Sequence, residues 1–509
     1  MFSTISYKNK IALVAVCLSA VMLGLEITSI PSILPTLKSL LPADFQQLQW
    51  IMNAYTIAMC SVLVATGALA DRFGRKRIFI AGITVFAIAS LICGLAGSAT
   101  VLIAARFLQG LSAAAMLSCQ VAVLSHQFQN GNERGVAFAT WGIVFGLGLG
   151  FGPIVGGIIL ELASWQWVFL IHVVIAALTL LLAKKGVTES SNPNAGRMDF
   201  GGMITLSLSV FGLVYLITQG HESGLSSDVG MFILVGSIVS LLLFIVIENK
   251  VKHPMFDFSA FKVRNFSGAL FGASGMNFSF WPFVIYFPIY LQSVLGYSAI
   301  MSGLTVLALT LPTIIVPPYA ERMLLKKGAG FVIPLGLFTI SAGFVAIWFA
   351  VTMPSTSWLT LLPGCLIAGV GLGLTNTPVT NTATGSLPPE RAGMASGMEF
   401  SARMISLAVN IAIMGLVLVQ GVAVGLADTL PLSGAQIEVL AGAIAAGNVT
   451  AAQSFGVSSD LATNILTTGF SWLVLYGAIS ALILGLAAAV TCERKHRTEI
   501  DKSISVTAK

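Results

Sequence analysis

Runs of about twenty consecutive apolar residues recur along this chain, and that recurrence constrains the fold more than any other feature. A helix needs roughly 20 apolar residues to cross about 30 Å of hydrocarbon, and fourteen runs reach that length. The first six extend from about Ile11 to Leu34, Leu48 to Ala70, Ile78 to Leu95, Val101 to Leu124, Val136 to Leu160 and Trp167 to Ala183. Two more follow, Phe200 to Thr218 and Val229 to Ile247. The last six run from Phe266 to Leu291, Ile300 to Pro318, Phe331 to Val351, Leu359 to Thr380, Met398 to Val422 and Ile465 to Val490. Only 9% of the 509 residues are charged, against about 25% in soluble domains, too few to coat a globule in water. Lipid is therefore the solvent for most of the chain. The expected fold is an all-α integral membrane protein with 14 transmembrane helices.

The first run follows Lys8 and Lys10, as the core of a signal peptide would, but it extends to about Leu34 and ends in Pro31 and Pro35. That length reads as a retained helix. The basic residues test the span count. With both termini cytoplasmic, the cytoplasmic loops hold all but three of the 26 Lys and Arg; Lys38 lies outside, and Arg106 and Arg403 lie within spans. Cytoplasmic loops are enriched in Lys and Arg, so topology accounts for the net charge of +6 and no nucleic-acid partner is required. The six cysteines form no CxxC pair, and five lie in apolar runs, which reads as buried free thiols rather than disulfides or a zinc site. Soluble catalytic machinery is not legible: there is no phosphate loop, no metal cluster, and no nucleophile with a base at useful spacing. An enzyme is not expected, and no cofactor or metal is. The one sizeable extramembrane piece is an outer loop at about 423–463, within which Ala435 to Ala446 reads as a short amphipathic helix, and a cytoplasmic tail follows the last span.

Several segments carry chemistry or mechanics. After the second run the chain reads Gly67-Ala-Leu-Ala-Asp71-Arg72-Phe-Gly74-Arg75-Lys76-Arg77. Gly67 permits close helix approach, Gly74 a tight turn, Asp71 can accept from the positive end of a helix, and Arg75 can reach a carboxylate across the cytoplasmic seam. A weaker echo, Ala320-Glu321-Arg322 with Lys326-Lys327, follows the tenth run. In the fourth run stand Arg106, Gln109 and Gly110; a guanidinium there is costly unless paired or hydrated, so it either reaches the outer interface or faces a central cavity beside an acid. The fifth run has Gly148, Gly152 and Gly156 at four-residue intervals, with Pro153 and Gly157, a flat face for a neighbouring helix.

Two acids lie inside spans. Glu26 is in the first, roughly 6 Å past its midpoint at about 1.5 Å per residue, and Glu399 is in the thirteenth, one turn before Arg403. A carboxyl in a cavity can hold a proton or a cation, and that competition is the physical basis of antiport. Bland alternatives exist: an interfacial position for Glu26, and a local i,i+4 pair with Arg403 for Glu399. The ninth run is crowded with aromatics, and Trp281 and Tyr286 are candidates for a cavity wall that binds cations by ring faces.

The loop after the second run matches the signature of the major facilitator superfamily, and the chain is identified as resembling its fourteen-helix drug:proton antiporters. The RFLQG segment resembles the family's second motif, and the glycine-rich fifth run resembles the motif of its exporter branch. Trp165-Gln-Trp167-Val-Phe169-Leu-Ile-His172 resembles a family segment in which Asn stands where this chain has His172. Glu248-x5-Pro254-Met-Phe-Asp257 and Tyr290-Leu291-Gln292 also fit. Glu26 stands where the family commonly has Asp, and Glu399 matches an acid of members resembling the quaternary-ammonium exporters.

The resemblance implies two six-helix bundles, residues 1–186 and 251–509, joined by two transmembrane helices in 187–250. It implies a secondary transporter driven by the proton gradient that exports lipophilic, cationic compounds from a bacterial cytoplasmic (inner) membrane as a monomer. Protons, the small-molecule substrate and the lipid bilayer are its partners. Glu26, Glu399 and Arg106 would bind the proton or cation, and Asp71, Arg72 and Arg75 would latch the cytoplasmic side. Export of one specific metabolite or siderophore is the alternative; a non-transporting receptor is a further rival.

Overall fold

A computed structural model of the chain describes residues 6–41, 43, 45–129, 131–191, 199–223, 227–251, 256, 258–387, 392–431, 433–447 and 449–493. Among the described residues the regular structure is helical throughout, without a strand. The first six helices are α1 (Tyr7–Leu40), α2 (Phe45–Phe73), α3 (Arg75–Gly94), α4 (Ala99–Gln127), α5 (Gly131–Leu162) and α6 (Gln166–Gly186). A hairpin follows, α7 (Phe200–Ser223) and α8 (Asp228–Lys250). Next come α9 (Arg264–Asn277), α10 (Phe280–Ser293), α11 (Ala299–Thr310), α12 (Pro312–Ile315), α13 (Pro317–Lys327), α14 (Ala329–Val351) and α15 (Trp358–Gly385). The last are α16 (Ala392–Thr429), α17 (Gly434–Ala445) and α18 (Ser459–Thr491).

Local sequence explains many of the boundaries. Serine side chains cap α1, α4, α8, α11 and α18, each accepting from the backbone N–H three residues on, which satisfies one of the donors a helix start leaves free. Between α2 and α3 the chain turns at Gly74 with φ 109°, a conformation open to glycine and strained for other residues. The tenth apolar run is not one straight rod: Ile300–Ile315 and Pro317–Lys327 meet at 44°, because prolines at 312 and 317 each lack the N–H that would continue the helix.

Among the described residues, ten helices are long and apolar enough to cross a membrane, or eleven if that bent pair is one span. The all-helical, multi-pass class expected from the sequence is present, with fewer spans qualifying than the fourteen runs. One departure is the ninth run, which divides into α9 and α10 of 14 residues each across Phe278 and Ser279. Another is the outer loop: α16 continues to Thr429 and α18 starts at Ser459, so both helices extend into 423–463. The amphipathic segment expected there is α17, which buries Leu440, Ala441, Ile444 and Ala445 and leaves Val439 exposed.

Apolar side chains form separate clusters. Two lie within residues 12–187, around Phe79, Phe86 and Leu117, and around Ile33, Ile51 and Phe169. The largest lies within 260–492, around Phe283, Phe344 and Phe470. A smaller one joins Ile57 of α2 and Ala412 of α16 to Leu206, Val210 and Val214 of α7 and Phe244 of α8, so the hairpin rests on both. Outward, Phe232, Val235, Ile238, Leu242 and Leu243 of α8 are exposed. A contiguous apolar surface of this kind fits lipid, not water. This is a multi-pass membrane protein.

Candidate functional site

Arg106 and Glu26 meet in the interior of the first six helices. Arg106 is 2% exposed and Glu26 0%. The Arg106 guanidinium donates through Nη1 to Glu26 Oε1 and to Gln109 Oε1 at 2.8 Å, and through Nε to the Ile51 carbonyl at 2.9 Å. Its face lies over the Tyr55 ring, 4.5 Å from the centroid. Gln109 in turn donates to Ser90 Oγ at 2.8 Å, and Cys93 Sγ lies 3.8 Å from Gln109 Oε1. His172 closes the far side, with Nδ1 3.3 Å from Glu26 Oε2 and 3.0 Å from the Val168 carbonyl. One buried charge pair thus draws in α1, α2, α3, α4 and α6. Burying two ions is costly unless geometry and extra hydrogen bonds repay it, and this network supplies both.

Gly110 sits one residue past Gln109 on the same helix. A Cβ built there would lie 2.2 Å from the Tyr55 carbonyl oxygen, so its lack of a side chain sets how closely α4 approaches α2 and seats Arg106 over Tyr55. Of the two sequence readings of Arg106, the guanidinium takes the one beside an acid. Glu26 is fully buried.

Glu399 and Arg403 lie on α16 and pair with each other one turn apart. Arg403 also donates to the Asn376 carbonyl at 3.1 Å, to Thr380 Oγ1 at 2.9 Å and to Asn376 Oδ1, all on α15. Phe400, between the pair in sequence, sets its ring 6.2 Å from Trp141 of α5. Nearby, Asn277 ends α9 and donates to the Arg403 carbonyl at 2.9 Å and to Ser406 Oγ at 3.2 Å. Its own carbonyl, left without a helical partner by the break before α10, accepts from Asn410 at 3.0 Å. Tyr476 of α18 completes the chain by donating to Asn410 Oδ1 at 2.6 Å. A helix can break inside a membrane only where such partners satisfy the freed backbone groups.

Tyr286 is buried, and its hydroxyl donates to the Ile411 carbonyl of α16 at 2.7 Å. Trp281 is half-buried, edge-on to Phe280, and packs beside Ile285, Leu407 and Ile411. In the fifth run, a Cβ at Gly148 would lie 2.9 Å from the Val21 carbonyl oxygen, and one at Gly152 would lie 1.9 Å from Thr28 Oγ1. These glycines hold α5 against α1. Gly156 and Gly157 are buried, and the Pro153 side chain lies outside the described residues. Farther along the same helix, Ile154 meets Gly303 of α11, where a Cβ would come within 2.8 Å of the Ile154 backbone nitrogen.

In the α2–α3 turn the glycines differ. A Cβ at Gly74 would strike Glu189 Oε1 at 2.7 Å, whereas one at Gly67 would meet Ser118 at an ordinary 3.8 Å. Close helix approach is therefore not what Gly67 provides. Glu189, which the sequence did not single out, accepts from the Lys76 backbone N–H at 3.0 Å and lies 3.7 Å from Arg77. Arg75 donates its backbone N–H to the Ser190 carbonyl at 2.9 Å, and Arg72 is exposed beside Phe73. The Asp71 side chain lies outside the described residues.

The chain aligns with proteins of known kind over most of its length. It is 30% identical over 408 residues to the multidrug resistance protein Stp of Mycobacterium tuberculosis, covering 80% of this chain and 75% of that one. It is 29% identical over 488 residues to the multidrug efflux pump LfrA of Mycolicibacterium smegmatis, covering 94% and 95%. Among solved structures, the D-xylose-proton symporter superposes with a TM-score of 0.59 at 13% identity, over 86% of this chain and 96% of that one, a likeness of fold alone. The family profile of the Major Facilitator Superfamily matches residues 16–411. The chain belongs to the Major Facilitator Superfamily.

Proposed function

We propose that this protein exports lipophilic, cationic compounds in exchange for protons, acting as a monomer in the cytoplasmic (inner) membrane of a bacterium. The observation that carries the reading is the Glu26–Arg106 pair, sealed from solvent among five helices. Around such a carboxylate three positive charges compete: the guanidinium, a proton, and a cationic substrate. Only one combination balances the charge at a time, so uptake of one cation favours release of another. Because the pair is fully buried, exchange requires the surrounding helices to part, and this ties binding to a change of conformation. The names carried by Stp and LfrA support drug efflux.

In this reading both termini are cytoplasmic and fourteen spans cross the bilayer. The helices α1 to α8, the α9–α10 and α11–α13 composites, α14, α15, α16 and α18 fall on the fourteen apolar runs, which supports that count. Residues 1–186 and 251–509 are the two six-helix bundles, with 187–250 between them; the separate apolar clusters of the two parts support this division. The Gly148–Gly152 contact with α1 and the Ile154–Gly303 contact with α11 form the seam that rocks, and the turn around Asp71, Arg72, Gly74 and Arg75 latches the basic end. Glu399, held by Arg403, is the second acid.

The test is proton release from energised everted vesicles on adding ethidium or a quaternary ammonium compound, for wild type and Glu26→Gln. Collapse of the pH gradient by wild type and not by an equally inserted variant is the expected result. If wild type ignores every lipophilic cation tried, cation export fails, and one specific metabolite or siderophore becomes the substrate to seek.

A further inference from the structure

His172 has no place in the charge pair itself, and its surroundings define it closely. The Val168 carbonyl, 3.0 Å from Nδ1, can only accept, so Nδ1 carries the ring proton. The same nitrogen is 3.3 Å from Glu26 Oε2, the carboxylate oxygen that Arg106 does not hold. The other ring nitrogen, Nε2, then presents a lone pair. It is buried and has no hydrogen-bond partner among the described residues, and the same holds for Glu26 Oε2. The ring is 1% exposed and meets Phe86 edge-on at 5.9 Å.

We propose that His172 Nε2 is the proton-accepting atom of this pocket, so that the coupled proton travels beside the Glu26 carboxylate rather than on it. The inference rests on the proton-coupled reading above. The two alternatives differ in what they leave behind. A proton on Glu26 would leave the Arg106 guanidinium opposite a neutral acid, and a buried ion stripped of its partner is strongly destabilising. A proton on Nε2 keeps the Glu26–Arg106 pair, keeps the Nδ1 donation to Val168, and places the new positive charge on the ring nearest the unheld carboxylate oxygen.

The titratable and charged groups around the ring are Glu26 on α1, Arg106 on α4 and Cys93 on α3, with Tyr55 of α2 behind the guanidinium. On α5, Glu161 is exposed. Glu26 is the one anion among the buried members, facing one permanent cation and one switchable cation. Arrival of a cationic substrate beside Glu26 adds a further positive charge, and the imidazolium is the group that can shed one, returning its proton from Nε2 to water.

The chain has five histidines, so 15N-histidine NMR of the full protein in detergent micelles can follow this ring without a transport assay. The His172 signal is assigned by its loss in His172→Asn or, should that variant fail to insert, His172→Gln. The expected result is a ring that becomes doubly protonated as the pH falls from 9 to 5 and gives up that proton when tetraphenylphosphonium is added. In Glu26→Gln, which removes the facing anion, tetraphenylphosphonium should no longer displace the ring proton. In vesicles, His172→Asn, which removes the accepting nitrogen, should lose the wild-type pH dependence of cation-induced proton release. A ring that stays neutral from pH 9 to 5, or a variant with the wild-type pH profile, overturns the proposal. A ring that titrates in a protein that moves no lipophilic cation upholds the proton site and instead overturns the export reading.

Discussion

Two buried acid–arginine pairs occupy the two parts of this molecule, and they are built in opposite ways. Glu26 and Arg106 come from different helices and hold α1 to α4, with Ile51, Ser90 and His172 recruited from three more. Glu399 and Arg403 come from one helix, a single turn apart, and only the arginine reaches out, to Asn376 and Thr380 of α15. In the first pair, separating the charges means separating helices. In the second, the charges stay together whatever α16 does as a rigid body. An ion pair can report on a rearrangement only if its members lie on elements that move relative to each other, so the N-terminal pair is the better placed for coupling and the C-terminal pair for holding α15 to α16.

The largest expected effect is therefore at Glu26. Glu26→Gln leaves the Arg106 guanidinium buried without its counter-charge, at a cost of about 3–5 kcal/mol, seen as a lowered melting temperature of the purified protein. Adding Arg106→Gln to it should recover part of that stability without recovering proton release. If the double variant melts no higher than the single one, the pair does not act as a unit and the contrast between the two sites fails.

Asn410→Leu comes next. It strips the Asn277 carbonyl of its donor at the α9–α10 break and should cost about 1–3 kcal/mol, with protease sensitivity rising around Phe278. A variant that melts like wild type would mean the break is held by something else. Glu399→Gln should cost less than Glu26→Gln, about 1–2 kcal/mol, because Arg403 keeps its three bonds to α15. Transport that falls as far as in Glu26→Gln would put both acids in the coupling step and erase the distinction. Tyr286→Phe is the smallest, about 0.5–1.5 kcal/mol for one hydroxyl bond to the Ile411 carbonyl, with cation affinity unchanged. A loss of affinity of about tenfold or more in that variant would make Tyr286 part of a substrate wall.

Some of this architecture was legible before any coordinates. The i,i+4 spacing of Glu399 and Arg403 already contained their pairing, because one turn of helix fixes the distance between such side chains. The tenth run was read as one span, and the structure bends it at prolines 312 and 317, each of which removes a backbone donor. Gly74 was readable from the tight turn it had to make. The break in the ninth run has a local cause that the sequence reading passed over, since Pro282 has no N–H to give the Phe278 carbonyl one turn back. What the sequence does not announce is how the break is held, by Asn410 and Tyr476, which lie far along the chain. Gly67 was read as a close-approach residue, yet the room beside it accommodates a methyl group.

The sequence by itself determined the solvent of this protein, its helical class and the family it resembles. Each of these depends on local quantities: the length of an apolar run, the sign of a loop, the spacing within one turn. Only the tertiary structure decided which charge meets which. Glu26, Arg106 and His172 are separated by dozens of residues, and each is merely a polar side chain in an apolar helix until packing brings the three within contact. The cost of burying an unpaired charge requires that a partner exist, but helix packing alone selects it.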